Sequence, residues 1–178
     1  MLTLEPFTMT DADRLIGWVP DARFLMQWSG PQYTFPLTRE QLAQTWAATQ
    51  QEPPPHLMFT VRESTGGRVI GHIELMRIDH AAKRGHVARV LIGEADCRGC
   101  GFGTEMMRRL VDHAFGPLGL ETLTLAVFAF NAPAIACYRR LGFVMVEGKP
   151  DTRPFENESW PLLVMKLAKP TASLIPAP

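Results

Sequence analysis

The sequence has no excess charge of either sign, with 18 Lys and Arg against 18 Asp and Glu. A balanced chain lacks the broad field of a general nucleic-acid or membrane-surface binder, although a local basic patch stays compatible with it. It has no apolar run long enough to span a bilayer. The opening Met1-Leu-Thr-Leu-Glu-Pro6 has no basic stretch leading into an apolar one, so no secretory signal is expected and a cytoplasmic location is. Cysteine is scarce: Cys97, Cys100 and Cys137 cannot all pair within one chain, which fits reduced thiols. No internal repeat is present. At 178 residues the chain suits one domain, burying roughly 70% of its unfolded surface without a disulfide or a metal. Its 46% hydrophobic and 20% charged residues are ordinary for a globular protein.

What is present changes in period along the chain. Leu4–Thr8 reads as a short strand, and Thr10-Asp-Ala-Asp13 opens a helix that ends near Pro20. Asp21–Pro36 reads as irregular and aromatic-rich. Thr38-Arg-Glu-Gln41 has capping-box spacing and predicts a helix through Trp46. The proline-rich 50–56 stretch is a loop. Strands are then predicted over 57–62, 69–78 and 85–92, and helical spacing over 102–115. Thr122–Phe128 is a short apolar strand, and Asn131–Leu141 a helix with Asn131 as N-cap and Gly142 as its stop. Two strands follow at 143–146 and 162–167. This order is that of a mixed α/β sheet domain over residues 1–168, with a proline-rich tail over 169–178.

The segment Arg98-Gly-Cys-Gly-Phe-Gly-Thr104 lies between a predicted strand and a predicted helix. Glycines let the backbone approach a ligand, and the helix start supplies unpartnered N–H groups, so the turn suits an anion. A tight turn that binds nothing needs the same glycines. The spacing fits neither a dinucleotide fingerprint, which needs glycine where Thr104 stands, nor a P-loop. Cys97-Arg-Gly-Cys100 before a helix also has the form of a redox pair, or of half a zinc site with no second half.

Downstream, Asn131, Ala134 and Tyr138 share a helical face and Gly142-Phe143 follows. Together with Arg98-x-x-Gly101-x-Gly103, with Gly71-His-Ile-Glu-Leu75 and with the opening segment, this block resembles the GNAT superfamily of N-acetyltransferases. The likeness is greatest to the branch of ribosomal-protein N-terminal acetyltransferases. The resemblance implies an acyl-CoA N-acyltransferase fold, with a largely antiparallel sheet of about six or seven strands, a splayed V-shaped opening and about four flanking helices.

It also implies acetyl-CoA as co-substrate, no metal, and a primary amine acceptor on a protein N-terminus or a small molecule. The N–H groups of Gly99, Gly101, Phe102, Gly103 and Thr104 would hold the coenzyme pyrophosphate, with Arg98 and Cys100 in contact. Val90, Leu91 and Ile92 would run beside the pantetheine, with the Leu91 N–H aimed at the thioester carbonyl. Tyr138 would protonate the leaving thiolate, and Asn131 would touch the coenzyme, cap its helix, or both. Glu74 is the favoured general base. His72 and Asp79 are weaker candidates, and the strand that carries a base in several relatives offers His86 and Arg89 here but no carboxylate. Trp28, Tyr33, Phe35 and Trp46 are candidates to line the acceptor cleft, and Gly148–Trp160 to cover it. Homodimers are common in that family; the oligomeric state is open. A non-catalytic acyl-CoA sensor and a dithiol redox protein remain as alternatives.

Overall fold

The computed structural model describes residues 1–148 and 151–170. The elements run β1 (Leu2–Pro6), α1 (Ala12–Gly17), α2 (Ala22–Ser29), α3 (Arg39–Ala47), β2 (His56–Glu63), β3 (Val69–Asp79), β4 (Arg84–Ile92), α4 (Phe102–Phe115), β5 (Thr122–Phe128), α5 (Ala132–Arg140), β6 (Val144–Met145), β7 (Asp151–Phe155) and β8 (Glu158–Ala168). The sheet order is β1-β2-β3-β4-β5-β8-β6, with β7 also on β8. Only β4–β5 is parallel among the described pairs. A parallel pair needs a crossover, and α4 supplies it.

Two elements exceed the sequence reading. α2 lies in the stretch expected to be irregular; the Asp21 side chain accepts from the Phe24 N–H at 2.7 Å and caps it, while Leu25 and Met26 are buried. β7 lies in the segment read as a polar cover, and forms a hairpin with β8. Its residues are partly or fully exposed, so no apolar alternation marks it. Of the expected tail, Lys169 is tied back through its main-chain N–H to Glu121 and through Nζ to the Phe115 carbonyl. Residues 171–178 lie outside the described residues.

Two cores sandwich the sheet. One packs Ile73, Leu75, Val87 and Leu125 against Met106, Leu110 and Ala114 of α4 and Ile135 and Tyr138 of α5. The other packs Leu91 and Met58 against Leu15, Leu25, Tyr33 and Leu42 from the α1–α3 side. Val87 and Leu91 are four residues apart on one strand, so a regular period of two would put both on one face. They lie in opposite cores because β4 carries an extra residue: His72 pairs with Leu91, but Glu74 pairs with Ala88. Arg89 sits in this bulge with φ of 50°, in the left-handed region that non-glycine residues rarely occupy.

A buried charge holds Arg89 there. Glu74, fully buried on β3, takes the Arg89 guanidinium at 2.6 Å, His56 Nε2 at 2.6 Å and His72 Nε2 at 2.8 Å. A carboxylate only accepts, so both histidines donate from Nε2. Burial pushes the Glu74 carboxyl up, but Arg89 and the two imidazoles outweigh it, and it lies well below the ordinary range.

Glu74→Gln would leave the Arg89 charge buried and unpaired, and should lower the unfolding free energy by about 3–5 kcal/mol in urea titration. A depressed carboxyl contributes its stability in full above its unfolded value, about pH 4.3, and loses it as pH falls below that value. Thermal scans from pH 7 down to 3 should show this acid loss in the wild type and a smaller one in Glu74→Gln.

Candidate active site

β4 and β5 pair only from Arg84–Val87 against Thr122–Leu125. Beyond that point β4 follows its bulge, while β5 stays paired with β8 through Phe128. The strands splay apart and leave a gap of about 150 Å³ lined by Val87–Leu91, Leu125–Phe128, Asn131 and Tyr138. Tyr138 belongs to the α4–α5 core and Trp28 packs with the α1–α3 core, so the gap is reached from both faces of the sheet. Of the three strand residues expected beside the pantetheine, Val90 and Leu91 line the gap. Ile92 does not; its carbonyl accepts from Arg98 Nε at 3.0 Å.

From the end of β4 the chain enters the loop under tight packing. A Cβ on Gly93 would fall 1.9 Å from the Trp18 indole, whose Nε1 donates to Glu94. Arg68 clamps Glu94 and Asp96 at 2.6 and 2.7 Å. Arg98 was expected to face a phosphate, yet its guanidinium closes the loop onto the carbonyls of Ile92 and Gly93. Gly99 and Gly101 then take φ of 77° and 85°, and Gly101 caps α4. The Thr104 and Glu105 N–H groups bond to the Gly101 carbonyl, whereas those of Gly99, Cys100, Gly101, Phe102 and Gly103 have no partner among the described residues. Five free donors at a helix start fit a pyrophosphate.

Gly103 adds a separate sign. It is helical and its φ is not in the left-handed region, so the backbone does not require glycine there, and a Cβ would project into open space. A ligand lying against the helix start gives that glycine a reason. The Thr104 hydroxyl is 3.3 Å from Cys137 Sγ, which ties α4 to α5. Cys100 is exposed, with Sγ 3.6 Å from the carbonyls of Asp96 and Arg98. The Cys97 thiol is pushed up by burial and by Asp96, the reverse of what a redox pair needs.

Across the gap, Asn131 Oδ1 accepts from the Ala134 N–H at 3.3 Å, so it caps α5 while lining the cavity. The Tyr138 hydroxyl has no hydrogen bond to another described residue, and burial and Cys137 raise its pKa, so the phenol keeps its proton at neutral pH. Glu74, the expected base, lines neither this gap nor the cleft beyond it. Asp79 is likewise remote, capping the turn at Ala82 and pairing with Arg84.

The gap opens on the α2 side into a cleft of about 520 Å³ that shares Trp28, Ala88, Arg89 and Phe128 with it and adds Arg77, His86, Asp151 and Arg153. Of the aromatic candidates Trp28 lines this cleft and Tyr33 a neighbouring one; Phe35 lines none, and Trp46 donates from Nε1 to the Phe7 carbonyl as a structural residue. His86 is among the lining residues. Thr124 donates its hydroxyl to the Gly85 carbonyl and so accepts from His86 Nδ1 at 2.9 Å, leaving the lone pair on Nε2. Burial, with Arg77 and Arg89, depresses this imidazole to about 4. Arg77 and Arg89 were not singled out as cleft residues in the sequence, and Asp151 and Arg153 only within the Gly148–Trp160 segment expected to cover it. Only the departure of β4 from strict alternation hinted at Arg89. Among the described residues no group of three His, Cys, Asp or Glu side chains could hold a metal ion, and no helix is long and apolar enough to cross a membrane.

Residues 1–144 match the family model described as an acetyltransferase (GNAT) domain. The fold is similar to that of a spermidine N-acetyltransferase from Vibrio cholerae in complex with CoA and spermine, with a TM-score of 0.80 and 19% identity over 94% of this chain and 95% of that one. It is also similar to a probable acetyltransferase, at TM-score 0.77 and 21% identity over 94% and 93%. A dodecameric spermidine N-acetyltransferase from the same Vibrio gives 0.71 and 21% over the same shares. At such identities the likeness shows the fold. The family match bears out the expected GNAT kinship at the level of the superfamily and does not reach the branch within it.

Gly103→Ala separates fold from ligand. Alanine should stabilise α4 by roughly 0.5–1 kcal/mol. Coenzyme A affinity should fall, because the added methyl occupies the ligand's side of the helix start. Thermal unfolding and calorimetric titration with coenzyme A read the two effects independently.

Proposed function

The chain belongs to the GNAT acetyltransferase family, and on that premise we propose that it moves acetyl from acetyl-CoA to a primary amine by direct attack of the amine on the thioester. As an acetyl-CoA-dependent N-acetyltransferase it uses acetyl-CoA as co-substrate. The observation that carries the mechanism is the gap between β4 and β5, with a protonated tyrosine entering from one face and a neutral histidine in the cleft on the other. The free N–H groups of residues 99–103 and the ordinary helical setting of Gly103 support the coenzyme at the α4 start.

The roles follow from what each group can hold. Val90 and Leu91 line the gap, and a main-chain N–H of this stretch, that of Leu91, would serve the developing negative charge on the thioester oxygen. Tyr138, whose phenol stays protonated, gives its proton to the departing thiolate. His86 accepts a proton from the attacking nitrogen through Nε2. So weak a base cannot strip an alkyl ammonium near 10.4, so the acceptor's own ionisation limits the supply of free amine. Glu74 serves as the anchor of Arg89 rather than as the base, because its two oxygens are already committed. Acceptors compatible with the cleft include both a small-molecule amine and a protein N-terminus.

Thiol release with saturating acetyl-CoA and a panel of amines and peptides tests the activity, and no turnover with any acceptor despite coenzyme binding would contradict it. Tyr138→Phe should lower kcat by about 100-fold or more while leaving the coenzyme dissociation constant within a few-fold. For wild type, kcat/KM should climb about tenfold per pH unit below the acceptor's own pKa, with no inflection that follows Glu74.

A further inference from the structure

Two buried N–H donors are left without a partner among the described residues, and both belong to side chains on the gap and the cleft: Arg89 Nε and Trp28 Nε1. Arg89 is 6% exposed. The two share a neighbour, since the Arg89 guanidinium lies 5.3 Å from the Tyr33 ring and the Trp28 indole stacks on the same ring at 6.2 Å. Buried donors are almost always satisfied, so a pair of them at one cavity marks a place for oxygen atoms.

The charge on the cleft that has no ion-pair partner among the described residues is positive. Arg77 is exposed at the cleft and forms no ion pair among the described residues. Asp151 is the cleft's one carboxylate among them, and Arg153 already holds it. Glu74 is spent behind Arg89 and lines no part of the cleft. A polyamine would bring several cations and no oxygen to three arginines. An amine that also carries a carboxylate brings oxygens for the orphan donors and a charge opposite to Arg77.

We propose that the acceptor is an amino acid or a similar small amine bearing a carboxylate, which docks on Arg89 Nε and Trp28 Nε1 under the field of Arg77. The inference rests on the N-acetyltransferase reading and narrows its acceptor. A carboxylate seated there fixes the position of the amine within the cleft.

Matched acceptors test it with the full-length enzyme and saturating acetyl-CoA: a set of amino acids, each beside its decarboxylated amine and its carboxamide, together with spermidine. With each rate referred to the concentration of free amine, the amino acids should exceed their decarboxylated partners in kcat/KM by about tenfold or more, mostly through KM, and exceed the amides as well. Trp28→Phe and Arg77→Gln should each erode that preference, and Arg77→Gln should leave coenzyme A affinity unchanged. Arg77 is at the surface, so its variant keeps the test valid if Trp28→Phe does not fold. Equal or better turnover of spermidine or the decarboxylated amines would overturn the inference while the acetyltransferase reading stands. Preference for the amides would overturn the carboxylate in favour of a peptide-like carbonyl. No turnover of any amine would overturn both.

Discussion

The Glu74 carboxylate is fully buried, and its oxygens are shared by Arg89, His56 and His72. Taking two such charges from water costs several kcal/mol for each ion, so the pair adds little net stability, but removing one partner leaves a buried charge with nothing to answer it. Its effect is therefore on geometry. The pair fixes Arg89 in a left-handed backbone conformation, and that conformation is the β4 bulge. The bulge turns Leu91 from one core to the other and parts β4 from β5.

The gap that results gives the protein its two-sided site. From the α4–α5 face come the glycine-rich helix start, Asn131 and Tyr138; from the α1–α3 face come Trp28 and Arg89. An acetyl-CoA held at the α4 start would present its thioester in the opening, and an amine would meet it from the far side. The α2–β8 contacts brace this second side: Arg23 forms a two-pronged pair with Glu158 and lies 4.8 Å from the Trp160 ring, while Met26, Phe128 and Trp160 close a small core of their own.

Much of this was legible in the sequence. α4 and β5 fall where period and composition put them, because each pairs a strongly patterned apolar face with a clear stop. The loop glycines and the Asn131 cap were readable because backbone geometry and end-capping demand those residue types. α2 escaped notice because its aromatic residues and the nearby glycine and prolines masked a short amphipathic turn, and β7 because main-chain pairing to β8, not apolar burial, makes it a strand. Glu74 was picked out, but its partners were not. A glutamate in a strand looks the same whether it faces solvent, a substrate or an arginine on the next strand, and only the register decides. The bulge that brings Arg89 to it is a tertiary choice with no sequence mark beyond a charged residue among apolar ones.

The account's central claim is that one coenzyme molecule engages both the α4 start and the opened edge of β4. Amide hydrogen exchange, measured residue by residue with and without coenzyme A, tests it most directly. The account predicts slowed exchange at residues 99–103 and at Val90 and Leu91 in the same titration, with the β1–β2 hydrogen bonds unchanged. Protection at the helix start without any change along β4, or binding that protects neither, would contradict it.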